Sequence, residues 1–304
     1  MASLKAYAAG IYPRSEALVQ ATRDLDRGRT TAEAVDEQRR ADLQALVAAQ
    51  EEAGLDLLTD GLLDWQDLFR PLAERSDGVT ARPLTRFLDT NTFYRALLVD
   101  GALRLREPVP APELPAGRWL ATLPAPSALG RAARGAASSQ AFAADVLAPQ
   151  IEADAEAGCA LVVLVDPFLA REGGVEEAIA SLRELPDGVP LVLHLPFGDA
   201  SGILDALAEA PISAVGVDFY ATSLDAVPDG FPKELAAGII DVRSSALENP
   251  DELAAFADTL LERNPAGVAL TVNGDLQFVP EPVAREKVLR LGRARALLAE
   301  GVTA

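Results

Sequence analysis

Histidine and cysteine are almost missing from this chain, with one of each, His194 and Cys159, in 304 residues. A single cysteine forms no internal disulfide, which suits a reducing compartment. Most metal sites and most histidine- or cysteine-based nucleophile systems would lack their parts here. Basic excess is missing too. Lys and Arg number 27 against 46 Asp and Glu, a net charge of −19. Phosphate binding needs a basic face, so no nucleic-acid partner is expected. Such acidity serves mainly solubility and self-repulsion. The amino terminus, Met1-Ala2-Ser3-Leu4-Lys5, has no signal-peptide core. No apolar run approaches the ~20 residues of a membrane span. The expectation is a cytoplasmic protein with no membrane partner.

What is present is a rhythm of short apolar runs and longer helical patterns, the signature of a parallel sheet with crossover helices. Helical patterns cover 32–53, 143–157, 175–184, 201–209, 251–263 and 282–300. Strand patterns cover 55–59, 119–123, 160–165, 191–193, 214–217, 235–240 and 268–272. The strands are continuous apolar runs, as burial on both faces requires. Seven or eight such units over this length predict one (β/α)8 TIM barrel spanning 1–304 as a single domain. Neither a glycine-rich dinucleotide fingerprint nor a P-loop is present. The stretch 78–115 breaks the rhythm and is expected to be an inserted hairpin or lid over one barrel end.

In a barrel, reacting groups sit where strands end and the following loops begin. Those positions here hold Asp60, Asp166, His194, Asp218, Asp241, Arg243, Asn273 and Asp275. Carboxylates around one imidazole can bind a metal, run acid–base chemistry or hold a cationic substrate. The same Asp and Asn residues can instead cap the helices that follow them. Zinc prefers Cys and His, usually with at least three protein ligands, whereas magnesium or calcium accepts carboxylates alone. Cys159 precedes its strand, at the opposite end from this ring, and reads as a small core residue.

Several segments resemble the cobalamin-independent methionine synthase family, which shares a barrel superfamily with uroporphyrinogen decarboxylase. Ala9-Gly10-Ile11-Tyr12-Pro13-Arg14-Ser15 is similar to the family's opening segment. Gln50-Glu51-Glu52-Ala53-Gly54-Leu55-Asp56 matches its helix end, and Phe87-Leu88-Asp89-Thr90-Asn91-Thr92-Phe93-Tyr94 its F-D-T-N-x-x-Y element. Asp166-Pro167, Gly238 to Arg243, and Leu276-Gln277-Phe278-Val279-Pro280 with Glu286 complete the likeness. The full family enzyme has two barrels, so this chain resembles a single-barrel relative.

The family holds zinc with an H-x-C pair, a glutamate and a distant cysteine. His194 matches the first ligand, but Pro196 stands at the H-x-C cysteine, and Asp275-Leu276 holds no cysteine. His194 is thus the one surviving ligand, and a zinc site is not expected. Family positions that grip homocysteine appear as Ile11, Leu62 and Val165. The strand-end ring offers a catalytic set of His194, Asp166 and Asp218. The substrate-binding set is Tyr12, Arg14, Asp67, Asn91, Tyr94, Asp241, Arg243, Asn273 and Asp275. Arg14, Arg86 and Arg95 are placed to meet substrate carboxylates.

Three functions compete at this point. One is methyl transfer to a thiol or related small acceptor from a folate or corrinoid donor. Another is a metal-free lyase in the style of the decarboxylases. The third is a divergent paralogue that binds a small molecule or serves as a partner subunit. The cofactor is open, and the partner is a small-molecule substrate, with self-association or a partner protein also open.

Overall fold

The computed structural model describes residues 3–90, 92–135 and 138–302. Ten strands occur among them: β1 (Ser3–Ala6), β2 (Ser76–Arg86), β3 (Phe93–Leu105), β4 (Trp119–Pro124), β5 (Ala133–Gly135), β6 (Cys159–Val165), β7 (Leu191–Leu195), β8 (Ala214–Asp218), β9 (Glu234–Ile240) and β10 (Gly267–Val272). Seven form one parallel sheet in the order β1-β10-β9-β8-β7-β6-β4. It curls into a half-barrel, a mixed α/β architecture. Every residue of β7, β8 and β10 is buried, which is why their sequences are unbroken apolar runs and not alternating ones.

The crossover helices have caps legible in their sequences. Thr31 caps Ala32–Glu52 by accepting the Ala34 N–H at 3.3 Å. Gly54 follows that helix at φ +68°, a left-handed turn that glycine adopts without strain. Asn249 caps Pro250–Glu262, with proline in the first turn where no donor is needed.

Three expectations shift in detail. The 55–59 segment is not a full strand; only Leu58 bridges, to Trp119. The reason is Asp56, whose Oδ2 takes the Ala6 N–H at 2.8 Å, so a side chain replaces part of the backbone ladder. The Asp56 N–H still reaches Ala6 O at 2.9 Å, and the Leu58 N–H reaches Arg118 O at 2.8 Å. This segment therefore touches both β1 and the approach to β4. The helix expected over 143–157 opens as a π-turn, Ala143–Leu147, before Ala148–Glu156. Pro149 has no N–H and cannot close the regular α ladder there. The helix expected over 201–209 is shorter, Leu204–Ala208.

The irregular 78–115 stretch is indeed a hairpin. β2 and β3 pair antiparallel, with register shifts at Asp77/Val79 and Ala81/Leu84, where Pro83 cannot donate to the ladder. A third strand, β5, adds parallel to β3; at three residues it left no period to read.

Candidate active site at the barrel mouth

His194 lies on β7, beside Gly216 on β8. A Cβ on Gly216 would sit 2.3 Å from the imidazole Nδ1, so the ring packs closely against that glycine. The side chain is buried, and its Nε2 has no hydrogen-bond partner. Burial drives its pKa down to about 4, opposed by hydrogen bonding with the Asn273 backbone. The imidazole is therefore neutral at pH 7.

The strand-end acids are engaged differently. Asp166 accepts the Phe168 and Leu169 N–H groups, both at 2.9 Å, and the Ser127 hydroxyl. Asp218 accepts from Tyr220 N at 2.9 Å, Phe197 N at 3.2 Å and Asn273 Nδ2 at 3.0 Å. Asp275 accepts from Ile11 N at 3.0 Å and Gln277 Nε2 at 3.2 Å. Asp67 accepts from Phe69 N at 2.9 Å, Arg70 N at 2.8 Å and Arg95 N at 3.2 Å. Asp241 accepts the Arg243 N–H at 2.9 Å, and Asp60 accepts the Leu62 N–H at 3.0 Å. Each strand-end carboxylate thus binds the main chain of a loop at the mouth. Burial raises the pKa values of Asp60, Asp166 and Asp218, and that of Asp275 to about 6.

The family's zinc does not fit these donors. Among the described residues no group of three or more His, Cys, Asp or Glu comes together as a metal would need. The oxygens of Asp218, the acid two strand positions beyond Gly216, are held by N–H donors. No step is routed through a metal here.

The mouth is closed by rings, of which only Phe87, Tyr94 and Phe278 stand in segments quoted from the sequence. Phe69 stacks on Phe168 at 6.3 Å, Phe87 on Phe278 at 6.4 Å, and Phe197 meets Phe278 edge-on at 5.5 Å. Tyr94, from β3, meets Phe69 at 5.1 Å and Phe87 at 6.3 Å. Phe197 holds φ +61°, and its ring packs where any side chain on Gly274 would go. The space left between Ile11, Asp67, Phe69, Phe87, Tyr94 and Asp275 is about 20 Å³. Of these rings only Tyr94 belongs to the candidate set read from sequence. The others come from separate loops and share no local motif.

Among the other candidates, Arg243 holds its guanidinium 5.5 Å over the Phe197 ring. Tyr12 turns the other way from Ile11, reaching Glu281 Oε1 at 3.5 Å. Arg14 is half-buried near Asp42 and Asp64, and desolvation lowers its pKa. Arg86 and Arg95 donate to carbonyls of their own hairpin, at Thr90 and Arg82. Asn91 lies outside the described residues. Cys159 is buried at the start of β6. A larger cleft of about 570 Å³ runs between Ala32–Glu52 and the 109–113 strap and is lined by Asp60 of the strand-end set. Its Arg39 and Arg70 pair with Asp64 and Glu74 at 3.0 and 2.6 Å.

No family model matches the chain. It is similar to the methionine synthase of Sulfolobus acidocaldarius, 24% identical over 310 residues, covering 96% of this chain and 91% of that protein. A 144-residue stretch is 31% identical to the 5-methyltetrahydropteroyltriglutamate–homocysteine methyltransferase of Streptococcus gordonii, covering 44% of this chain and 19% of that one. The solved B12-independent methionine synthase from Shewanella sp. W3-18-1, in complex with selenomethionine, superposes with a TM-score of 0.77 at 15% identity, covering 98% of both chains. The chain is a relative of the cobalamin-independent methionine synthases. The family segments now have places in the fold. Phe87 and Tyr94, from the F-L-D-T-N-T-F-Y element, line the slit at the mouth. The Asp241 to Arg243 stretch supplies the cation over Phe197. No helix among the described residues is long and apolar enough to cross a membrane.

Proposed function

We propose that the chain is a single (β/α)8 barrel that transfers a methyl group to a thiol or related small acceptor beside His194. The hydrogen bonds of Asp56 and Leu58 to the two ends of the sheet support closure into a cylinder. The names of its relatives support methyl transfer, with homocysteine as the acceptor and a methylated folate as the donor; a corrinoid is the alternative donor.

The observation that carries this reading is the unpartnered Nε2 of a buried imidazole, on a strand whose two neighbours end in acids already committed to the backbone. A buried nitrogen left unpaired costs about 1–3 kcal/mol, which a ligand recovers on binding. With a pKa near 4, His194 is too weak a base to hold a proton at pH 7. Its work is to orient an acceptor through one hydrogen bond, with no part for a zinc-bound thiolate.

The test is methionine formation from homocysteine, with methyltetrahydrofolate, its triglutamate and methylcobalamin as separate donors. Turnover with one donor is expected, falling on the order of 100-fold in His194→Ala with the fold intact. No methionine from any donor, or turnover unchanged in His194→Ala, defeats the reading. A second reading, a non-catalytic binder, is favoured by the fully capped acids; ligand binding without turnover would support it.

A further inference from the structure

Tyr94 stands at 63° to Phe69 and at 88° to Phe87, so the three rings make steeply angled walls around one narrow slit. Two carboxyl groups, Asp67 and Asp275, also line it, and no Lys, Arg or His does. Aromatic faces are negative and attract cations, most strongly where water is excluded. The field of the slit therefore disfavours an anion. The hydrogen bonds narrow the cation further. Asp67 already accepts three backbone N–H groups, and Asp275 accepts from Ile11 and Gln277. The two carboxylates keep about three acceptor positions between them; a guanidinium's five donors exceed that, a primary ammonium would need all three in one geometry, and a buried unpaired donor is costly. A cation with a methyl surface brings charge and no donors.

We infer that the slit walled by Phe69, Phe87 and Tyr94 is a cage for a methylated onium cation, a sulfonium or a quaternary ammonium group. This deepens the reading of the barrel mouth as the substrate site by naming the class of methyl-bearing molecule it takes. The slit as it stands has room for about one water, so entry parts Tyr94 from the other two rings. The tie that yields is the hydrogen bond from the Arg95 N–H to Asp67, at 3.2 Å the longest of the three that Asp67 accepts.

The experiment is calorimetric titration of the full chain with trimethylsulfonium and tetramethylammonium. Tert-butanol serves as the neutral isostere and trimethylacetate as the anionic one. Saturable binding of either onium is expected, at least about tenfold tighter than tert-butanol; which of the two binds tighter identifies the class. Tyr94→Leu should abolish that preference. This variant also removes packing under the hairpin, so Asp275→Asn is measured beside it, with a weaker onium preference expected and the cooperative thermal transition retained. Equal binding of tert-butanol, preference for trimethylacetate, no saturable onium binding, or a preference surviving both variants overturns the cage. Methionine formation is scored separately. A protein that makes methionine without onium preference loses the cage alone, and one with the preference but no methionine loses the transfer reading alone.

Discussion

Asn273 Nδ2 donates to Asp218 Oδ1 at 3.0 Å, while Asn273 Oδ1 accepts the Val242 N–H at 3.0 Å. One carboxamide thus joins the ends of β8, β9 and β10. Asn273→Ala leaves a buried carboxylate and a buried N–H without their partner. It should cost about 2–3 kcal/mol in urea unfolding. A loss within about 0.5 kcal/mol, the range of an ordinary surface change, would contradict the clamp.

Gly216 fixes the imidazole from the adjacent strand. A Cβ there would press on Nδ1 at 2.3 Å, and β8 is too well packed to retreat. Gly216→Ala should destabilise by about 1–3 kcal/mol and shift the imidazole resonances. The chain has one histidine, so a single set of signals reports it; unchanged shifts would show that the ring does not lie against this glycine.

The same signals test the protonation state. Wild type should keep a neutral imidazole down to about pH 4; a midpoint near the ordinary 6.5 would mean the ring meets water.

His194 and Asp154 make opposite contributions to stability across one pH window. The folded pKa of His194 is depressed, so its contribution is full above about 6.5 and is lost as pH falls through 4. Asp154, on Ala148–Glu156, has one oxygen bonded to Gln150 and the other unpartnered; burial raises its pKa to about 7. Its contribution is full below the unfolded value of 3.8 and is lost as pH rises through 7. The stability of Asp154→Asn relative to wild type should therefore climb between pH 4 and 7, at up to about 1.4 kcal/mol per unit. His194→Gln should gain relative to wild type as pH falls from 6.5 to 4. Parallel pH profiles for either variant and wild type would refute the assignment.

Lys287 is fully buried in the last helix, with its Nζ 2.7 Å from Glu248 Oε1 and from Ala246 O. Glu248 in turn accepts the Asp241 N–H at 2.9 Å, so this ion pair anchors the loop that carries Arg243. Lys287→Met should cost about 3–5 kcal/mol by stranding the carboxylate. The double variant with Glu248→Gln should recover part of that loss. Additive losses would show that the two charges act independently.

Much of the strand framework could be read directly from sequence. Val163, Leu193 and Val215 sit in unbroken apolar runs because both faces of their strands are covered, and those runs end at Asp166, His194 and Asp218. What the acids do there was not legible. An aspartate after a strand is suited equally to catalysis and to holding a turn, and only the N–H groups of Phe168, Leu169 and Tyr220 decide between them. The aromatic closure was hidden for another reason. Phe69, Phe87, Phe168, Phe197 and Phe278 come from five separated loops, and no local period joins residues that meet only when the sheet curls. The strand expected over 55–59 failed at one atom, where the carboxylate of Asp56 takes a place the main chain would have held.

The water-sized space between Phe87, Tyr94 and Asp275 sets a kinetic limit on whatever this protein binds. Nothing larger than a solvent molecule enters this slit until the rings part, so capture there is a sequence of opening followed by entry. Observed association rates should then level off at high ligand concentration, at the opening rate. Measured affinity will understate the intrinsic one by the fraction of molecules that stand open.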